Sequence, residues 1–366
     1  MSPESRVRQQ AEMLADWAVD IGSGGTVTIV ATSPAKELVT ALHGEIGKRS
    51  AEPVTIMASL DTTIGPSGEH VAEFLSNHDG EFETPSHLQA LVEETDVMIG
   101  IRSDTNTHVL SHVSNDIQQR RAKAMAPILQ TLMGMEQAVL TPHPTDAWAQ
   151  RAGMSLPEYE DFLYGAMLRD WETQDEKQER MRERLEAADE ARIVGPDTDL
   201  TMSLDGMHAV NDIGDLNFPP GEVYTAPVVD SIEGEIRFDV PSIMQGEEVA
   251  DVHLTLEDGV VTEYSARRNE AALESVLETD IGSNRIGEFG IGMNHDIDRV
   301  TKQVSLDEKL GGTVHLALGR AYGRTVGKGY ERNQSAIHVD LIKDMSEGRL
   351  ELDGEVVQED DEFGWT

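Results

Sequence analysis

The sequence contains no cysteine. That excludes disulfides, iron–sulfur clusters, thiolate zinc sites and cysteine nucleophiles. No apolar run approaches the ~18 residues of a membrane-crossing helix, and the start, MSPESRVRQQ, does not read as a secretory leader. A soluble, cytoplasmic protein is therefore expected. Basic residues are scarce: 29 Lys+Arg stand against 68 Asp+Glu, a net charge of −39, and only eight of the 29 are lysine. Phosphate binding needs a basic footprint, so neither nucleic acid nor an anionic membrane is an expected partner. Walker A, HExxH and GxSxG motifs are absent. The glycine cluster GSGG (22–25) precedes a strand instead of joining strand to helix, and reads as a turn.

What is present is a chain of 366 residues, 39% hydrophobic, long enough for two domains of ordinary size. The acid is spread along the whole length rather than gathered in a tail. Self-repulsion of that size suits a high-salt cytoplasm, where the screening length falls to about 3 Å at 1 M salt. A halophilic protein is the reading that follows.

The first half alternates helices and strands. Ser2 as N-cap, Pro3 at N1 and the stripe Val7, Ala11, Leu14, Ala18 predict an opening helix. Strands follow at 26–31, 53–58, 96–101 and 137–141, with helices after Ser33–Pro34 to about Lys48 and over about 107–133. This is the pattern of an α/β layer with a largely parallel sheet. From Thr145 to about Glu190 the chain reads as helical, with Ser155 capping the helix that begins LPEYEDF. The charged stretch 171–190 is read as a solvated linking helix. After Ala191 short strands dominate, and Asp258–Gly259 and Asp353–Gly354 sit between alternating runs as hairpin turns. The expected organisation is an N-terminal α/β domain with its helical linker (1–190) and a strand-rich α+β catalytic domain (191–366).

In the second half, four stretches set a metal-capable side chain beside glycines or on a strand. NFPPGEVYTAP carries Glu222, NRIGEFGIGMN Glu288, DEKLGGTVHLALG Glu308 and His315, and SAIHVD His338 and Asp340. Strand alternation puts His338 and Asp340 on one face, and sets His315 on the face opposite Val314 and Leu316. Each motif taken singly has a plain structural reading: a surface turn for Glu222 and Glu288, a hydrogen-bonded histidine for His315 and His338. Together, imidazole and carboxylate suit Zn²⁺, Co²⁺, Mn²⁺ or Fe²⁺ better than Mg²⁺. Two dications nearly balance three or four carboxylates, which favours a two-metal site with a shared carboxylate. His143, in TPHPTD, is the one other histidine worth following.

These four ordered motifs resemble the aminopeptidase T family, the M29 metallopeptidases. The likeness extends through PTDAWAQRAGMSLPEY and is strongest over 198–357. It implies metal ligands at Glu222, Glu288, His315, His338 and Asp340, with Glu288 bridging and Glu308 a sixth ligand, and an active-site tyrosine at Tyr322. It also implies two bound divalent ions (Zn, Co or Mn), peptide substrates, a homodimer, and hydrolysis of the first peptide bond by an ion-activated water. Tyr322 would stabilise the developing oxyanion, and Glu288 or Glu308 would move the proton. The sequence departs from the family in the loop GRAYGRTVGKGYERNQ, more basic than usual. Its Arg320, Arg324, Lys328 and Arg332 could meet a substrate carboxylate or pair with local acids.

Two other readings compete. His315, His338 and Asp340 have the composition of a 2-His-1-carboxylate iron oxygenase, and ring-cleaving dihydroxypyridine dioxygenases share this fold family. The presence of both Glu222 and Glu288 favours the two-metal hydrolase. A non-catalytic metal or peptide binder is the third.

Overall fold

The computed structural model describes residues 3–60, 68–214 and 216–364. Ser2, read as a helix cap, lies outside them. The chain divides into two units: residues up to 169 with 214–219, and residues 170–213 with 220 onward.

The first unit opens with α1 (Pro3–Met13), continued by a wider π-helical turn through Ala18. The stripe Val7, Ala11, Leu14, Ala18 is buried. Then come β1 (Thr26–Val30), α2 (Lys36–Lys48), β2 (Glu52–Ile56), α3 (Glu69–Ser76), α4 (Ser86–Glu93), β3 (Val97–Arg102), α5 (Asn115–Met133), β4 (Ala138–Pro142), α6 (Asp146–Arg151) and α7 (Leu156–Met167). The four strands pair in parallel in the order β2-β1-β3-β4. β3 is almost wholly buried, which explains its unbroken apolar sequence. Ser155 forms a capping box with Glu158 at the start of α7. Gly24, at φ +78°, makes the turn of the GSGG cluster, where Gly25 N–H donates to the Gly22 carbonyl. α5 begins at Asn115 rather than near 107, because the preceding residues form turns up to the extended Ser114.

The second unit begins with α8 (Trp171–Ala187). The sequence reading attached this helix to the first domain as a solvated linker, with the boundary near 190. Its residues Trp171, Gln174, Gln178, Met181 and Leu185 are buried, spaced three and four apart on one face. Gln174 donates to the Met293 carbonyl at 2.9 Å, and Gln178 Nε2 lies 2.8 Å from the Asp212 carbonyl and 3.3 Å from that of Glu222. Only the outer face is charged.

Strands follow: β5 (Glu190–Gly195), β6 (Thr198–Ser203), β7 (Val210–Asp212), β8 (Glu222–Thr225), β9 (Glu233–Phe238), β10 (Ser242–Met244), β11 (Glu247–Glu257) and β12 (Val260–Arg268). After α9 (Glu270–Leu277) come β13 (Ile286–Gly292), α10 (Val304–Asp307), β14 (Thr313–Gly319), β15 (His338–Asp344), β16 (Arg349–Leu352), β17 (Glu355–Glu359) and β18 (Glu362–Phe363). They form a nine-stranded sheet and a five-stranded sheet ordered β15-β14-β13-β8-β7. Both contribute to one apolar core containing Leu200, Ile236, Leu254, Val223, Phe289, Val314, Leu316 and Leu341. Asp258 and Gly259, then Asp353 and Gly354, all at positive φ, turn the β11–β12 and β16–β17 hairpins.

The five-stranded sheet carries the candidate ligands Glu222, Glu288, His315, His338 and Asp340. One face of β14 sends Val314, Leu316 and Leu318 into the core, so the alternate residue His315 lies on the other. β14 is nevertheless buried along its whole length: the second face is enclosed, but by polar groups.

Candidate metal centre

Register brings the dispersed motifs together. Glu222 on β8 lies opposite Gly292 of β13; Gly290 of β13 lies opposite His315 of β14; Ala317 of β14 lies opposite both Glu288 of β13 and Asp340 of β15; Gly319 lies opposite His338. Functional side chains thus alternate across the sheet with glycine and alanine. Gly290 is required by space: a Cβ there would sit 2.1 Å from His315 Nε2. Gly290 alone of the glycines in GEFGIG clears the floor for the imidazole; Gly287 and Gly292 make room for the backbone at Gly319 and Leu310.

Among the described residues the ligand-capable atoms form two groups, Glu222/Glu288/His315 and Glu288/His338/Asp340, the atoms in each lying within 4.8 Å of one another. Glu288 belongs to both. His315 Nε2 is 3.3 Å from Glu222 Oε2 and 3.5 Å from Glu288 Oε1. His338 Nε2 is 3.6 Å from Asp340 Oδ1 and 4.0 Å from Glu288 Oε1. Despite this closeness, Glu222 Oε2, Glu288 Oε2, His315 Nε2 and Asp340 Oδ1 are buried with no hydrogen-bond partner. Buried polar atoms are ordinarily satisfied. Orphaned donors of this chemistry, converging from four strands, fit cations held between them. His338 Nδ1 lies 2.8 Å from the Arg320 carbonyl, and a proton donated there leaves Nε2 as the lone-pair nitrogen facing the carboxylates.

The electrostatics follow the crowding. Burial disfavours charge on His315, but Glu222, Glu288 and Asp340 outweigh it and raise its pKa well above the usual value. Burial likewise opposes ionisation of Glu222, and Lys309 and His315 outweigh it, holding its pKa below normal. For Glu288 burial wins and the pKa is raised.

Glu308 stands apart from both groups. Its Oε1 accepts a 2.5 Å hydrogen bond from Lys309 Nζ, and burial lifts its pKa well above the normal range. Tyr322 is beside the site, its ring centroid 4.9 Å from that of His338. Burial, then Glu288 and Asp340, raise the phenol pKa, so it keeps its proton. His143 belongs to the first unit, where burial lowers its pKa to about 4 against a backbone hydrogen bond with Pro34. Of the basic loop, Arg324 donates to the Tyr224 hydroxyl, its guanidinium 5.4 Å from that ring's centre, although the residue as a whole is exposed. Lys328 and Arg332 are exposed.

Sequence reasoning missed Lys309, Asp212 and Tyr224. Lys309 was within reach, since it directly follows Glu308 and lysine is rare in this chain. Asp212 carries no local signal; only the pairing of β7 with β8, which sets it opposite Glu222, brings it in.

A family model described as thermophilic metalloprotease (M29) matches residues 3–358. Aminopeptidase T of Thermus thermophilus is 27% identical over 275 residues, covering 65% of this chain and 66% of that protein. Aminopeptidase T of Thermus aquaticus is 31% identical over 179 residues, 44% of this chain and 43% of that one. Aminopeptidase AmpS of Bacillus subtilis is 30% identical over 204 residues, 49% of each. The alignments thus span between about two fifths and two thirds of these relatives. Among solved structures, wild-type AmpT from Thermus thermophilus superposes with a TM-score of 0.85 at 20% identity, covering 99% of this chain and 100% of that one. A 2,5-dihydroxypyridine dioxygenase from Pseudomonas putida superposes with a TM-score of 0.60 at 15% identity, over 100% and 99%. Both likenesses are of fold.

Proposed function

This chain belongs to the M29 metalloprotease family, and we propose that it is a metal-dependent aminopeptidase that removes N-terminal residues from peptides using two divalent ions, zinc, cobalt or manganese. One observation carries the reading: two ligand groups share Glu288 and converge with orphaned buried donors. The names of the relatives agree with it. Since a dioxygenase has the same fold, fold alone does not choose the chemistry. Glu222 and Glu288 favour the hydrolase, because they form a ligand group with His315, and among the described residues His315 shares no group with His338 and Asp340.

Glu222, Glu288 and His315 would hold one ion, and Glu288, His338 and Asp340 the other. Such ions, when bound, lower the pKa of water and polarise a carbonyl. The chain's own residues do the rest. Tyr322, kept protonated, donates to the oxygen that becomes negative as the carbonyl is attacked. The water oxygen joins the acyl carbon and the C–N bond breaks. The proton reaches the leaving amine through Glu308, which lies beside Glu222 and outside both ligand groups. Charge balance supports the ion count. Asp212, Glu222, Glu288, Glu308 and Asp340 carry −5 when ionised, Lys309 adds +1, and two dications add +4, giving zero.

The acid surplus of −39 supports a protein that works in concentrated salt, with peptides rather than nucleic acid or membranes as partners. The homodimer and cytoplasmic location implied by the resemblance complete the proposal. The test is to load the protein with Co²⁺, Zn²⁺ or Mn²⁺ in molar KCl and assay aminoacyl amides and dipeptides. Release of N-terminal residues is expected with at least one metal. No release with any of them would sink the hydrolase reading.

A further inference from the structure

Lys309 is fully buried, at 0% exposure. Its Nζ lies 2.5 Å from Glu308 Oε1, 2.8 Å from Glu222 Oε1 and 3.3 Å from Asp212 Oδ2. An ammonium has three N–H donors, and here three carboxylates surround it: Glu222 and Glu308 accept hydrogen bonds and Asp212 completes the ion pairing. Lysine is almost never fully buried unless paired, and this chain has only eight. The position also has a directional effect. With Oε1 of Glu222 taken by the ammonium, only Oε2 faces His315.

We propose that the Lys309 side chain is a built-in third cation of the metal centre, filling a cation position bounded by Asp212, Glu222 and Glu308 and restricting Glu222 to one oxygen for the neighbouring ion. Lys309 is thus a positioning residue. It neutralises the acid that two dications leave over, and it keeps a further divalent ion from entering between Glu222 and Glu308. A fixed ammonium does this at any metal concentration, whereas a bound ion would come and go. The inference rests on the two-ion reading above.

The test compares Lys309→Ala, which leaves room for an ion, with Lys309→Met, which removes the charge but fills the space. Bound Mn²⁺ is counted by equilibrium dialysis and elemental analysis of the whole chain. Tetramethylammonium chloride replaces KCl, so no small monovalent ion competes. The expected counts are two for the parent, two for Lys309→Met and three for Lys309→Ala. A purely structural lysine would not make the count depend on the space left behind. Two ions in both variants, with a parent that also holds two, overturns this inference alone; a parent that holds none overturns the metal reading instead. If Lys309→Ala is unfolded when metal-free, recovery of its circular dichroism on adding Mn²⁺, with three ions bound, supports the proposal. Failure to recover contradicts it.

Discussion

At the β8 end of the site Glu222 is enclosed with Asp212, Glu308 and Lys309, and Gln178 of α8 reaches the Asp212 and Glu222 carbonyls behind it. At the β15 end His338 is 13% exposed, fixed by one backbone carbonyl, and flanked by the ring of Tyr322. One end is dense with charge and sealed around the fully buried Lys309; the other is sparse and has no ammonium. The sealed end is suited to hold an ion and set its ligand orientation, and the β15 end carries the tyrosine ring beside its ligands. Glu288 joins them and belongs to both ligand groups.

The largest effect should come from removing that join. Glu288→Gln is expected to reduce peptidase activity to background with an unchanged circular dichroism spectrum, because both ion positions lose a charged ligand. Substantial turnover by this variant would refute the shared role. Tyr322→Phe strikes the β15 end, where its ring flanks His338. A fall in kcat of about 10²–10³-fold is expected, with metal content unchanged; loss of metal instead would make the tyrosine a ligand and erase the contrast. Gly290→Ala strikes the sealed end, since its Cβ would collide with the His315 ring. It should lose one of two ions while the His338–Asp340 side keeps the other. Gln178→Leu tests the support behind the sealed end. Unsatisfied buried carbonyls there should cost about 1–3 kcal/mol, read as a lower urea midpoint at unchanged slope. The smallest and most diffuse effect belongs to the surface. Melting temperature should climb steadily from low to molar KCl as screening shortens; a flat curve would count against salt adaptation.

The two units also differ in how far they could be read in advance. In the first, strands and helices followed from apolar periodicity: the 7-11-14-18 stripe of α1 is buried, and the four strands pair in parallel as expected. In the second, the Asp-Gly hairpins and the alternation of β14 were equally plain. What failed did so for physical reasons. α8 was misassigned because its abundant charge masked an inner face on which two glutamines interrupt the apolar spacing of Trp171, Met181 and Leu185. Glu308 and Lys309 are sequence neighbours, but only the fold shows that one holds the other. The convergence of Glu222, Glu288, His315, His338 and Asp340 depends on antiparallel register across four strands, and no local signal gives register. Here the resemblance of ordered motifs supplied what spacing could not.

The central claim is that two ions share one carboxylate across these two ends. It is tested most directly by counting Co²⁺ per chain in equilibrium dialysis for the parent, Glu222→Gln and His338→Ala. The account expects two ions in the parent and one in each variant, with the ion lost from opposite ends. A parent that binds a single ion, retained in Glu222→Gln and lost in His338→Ala, would contradict it.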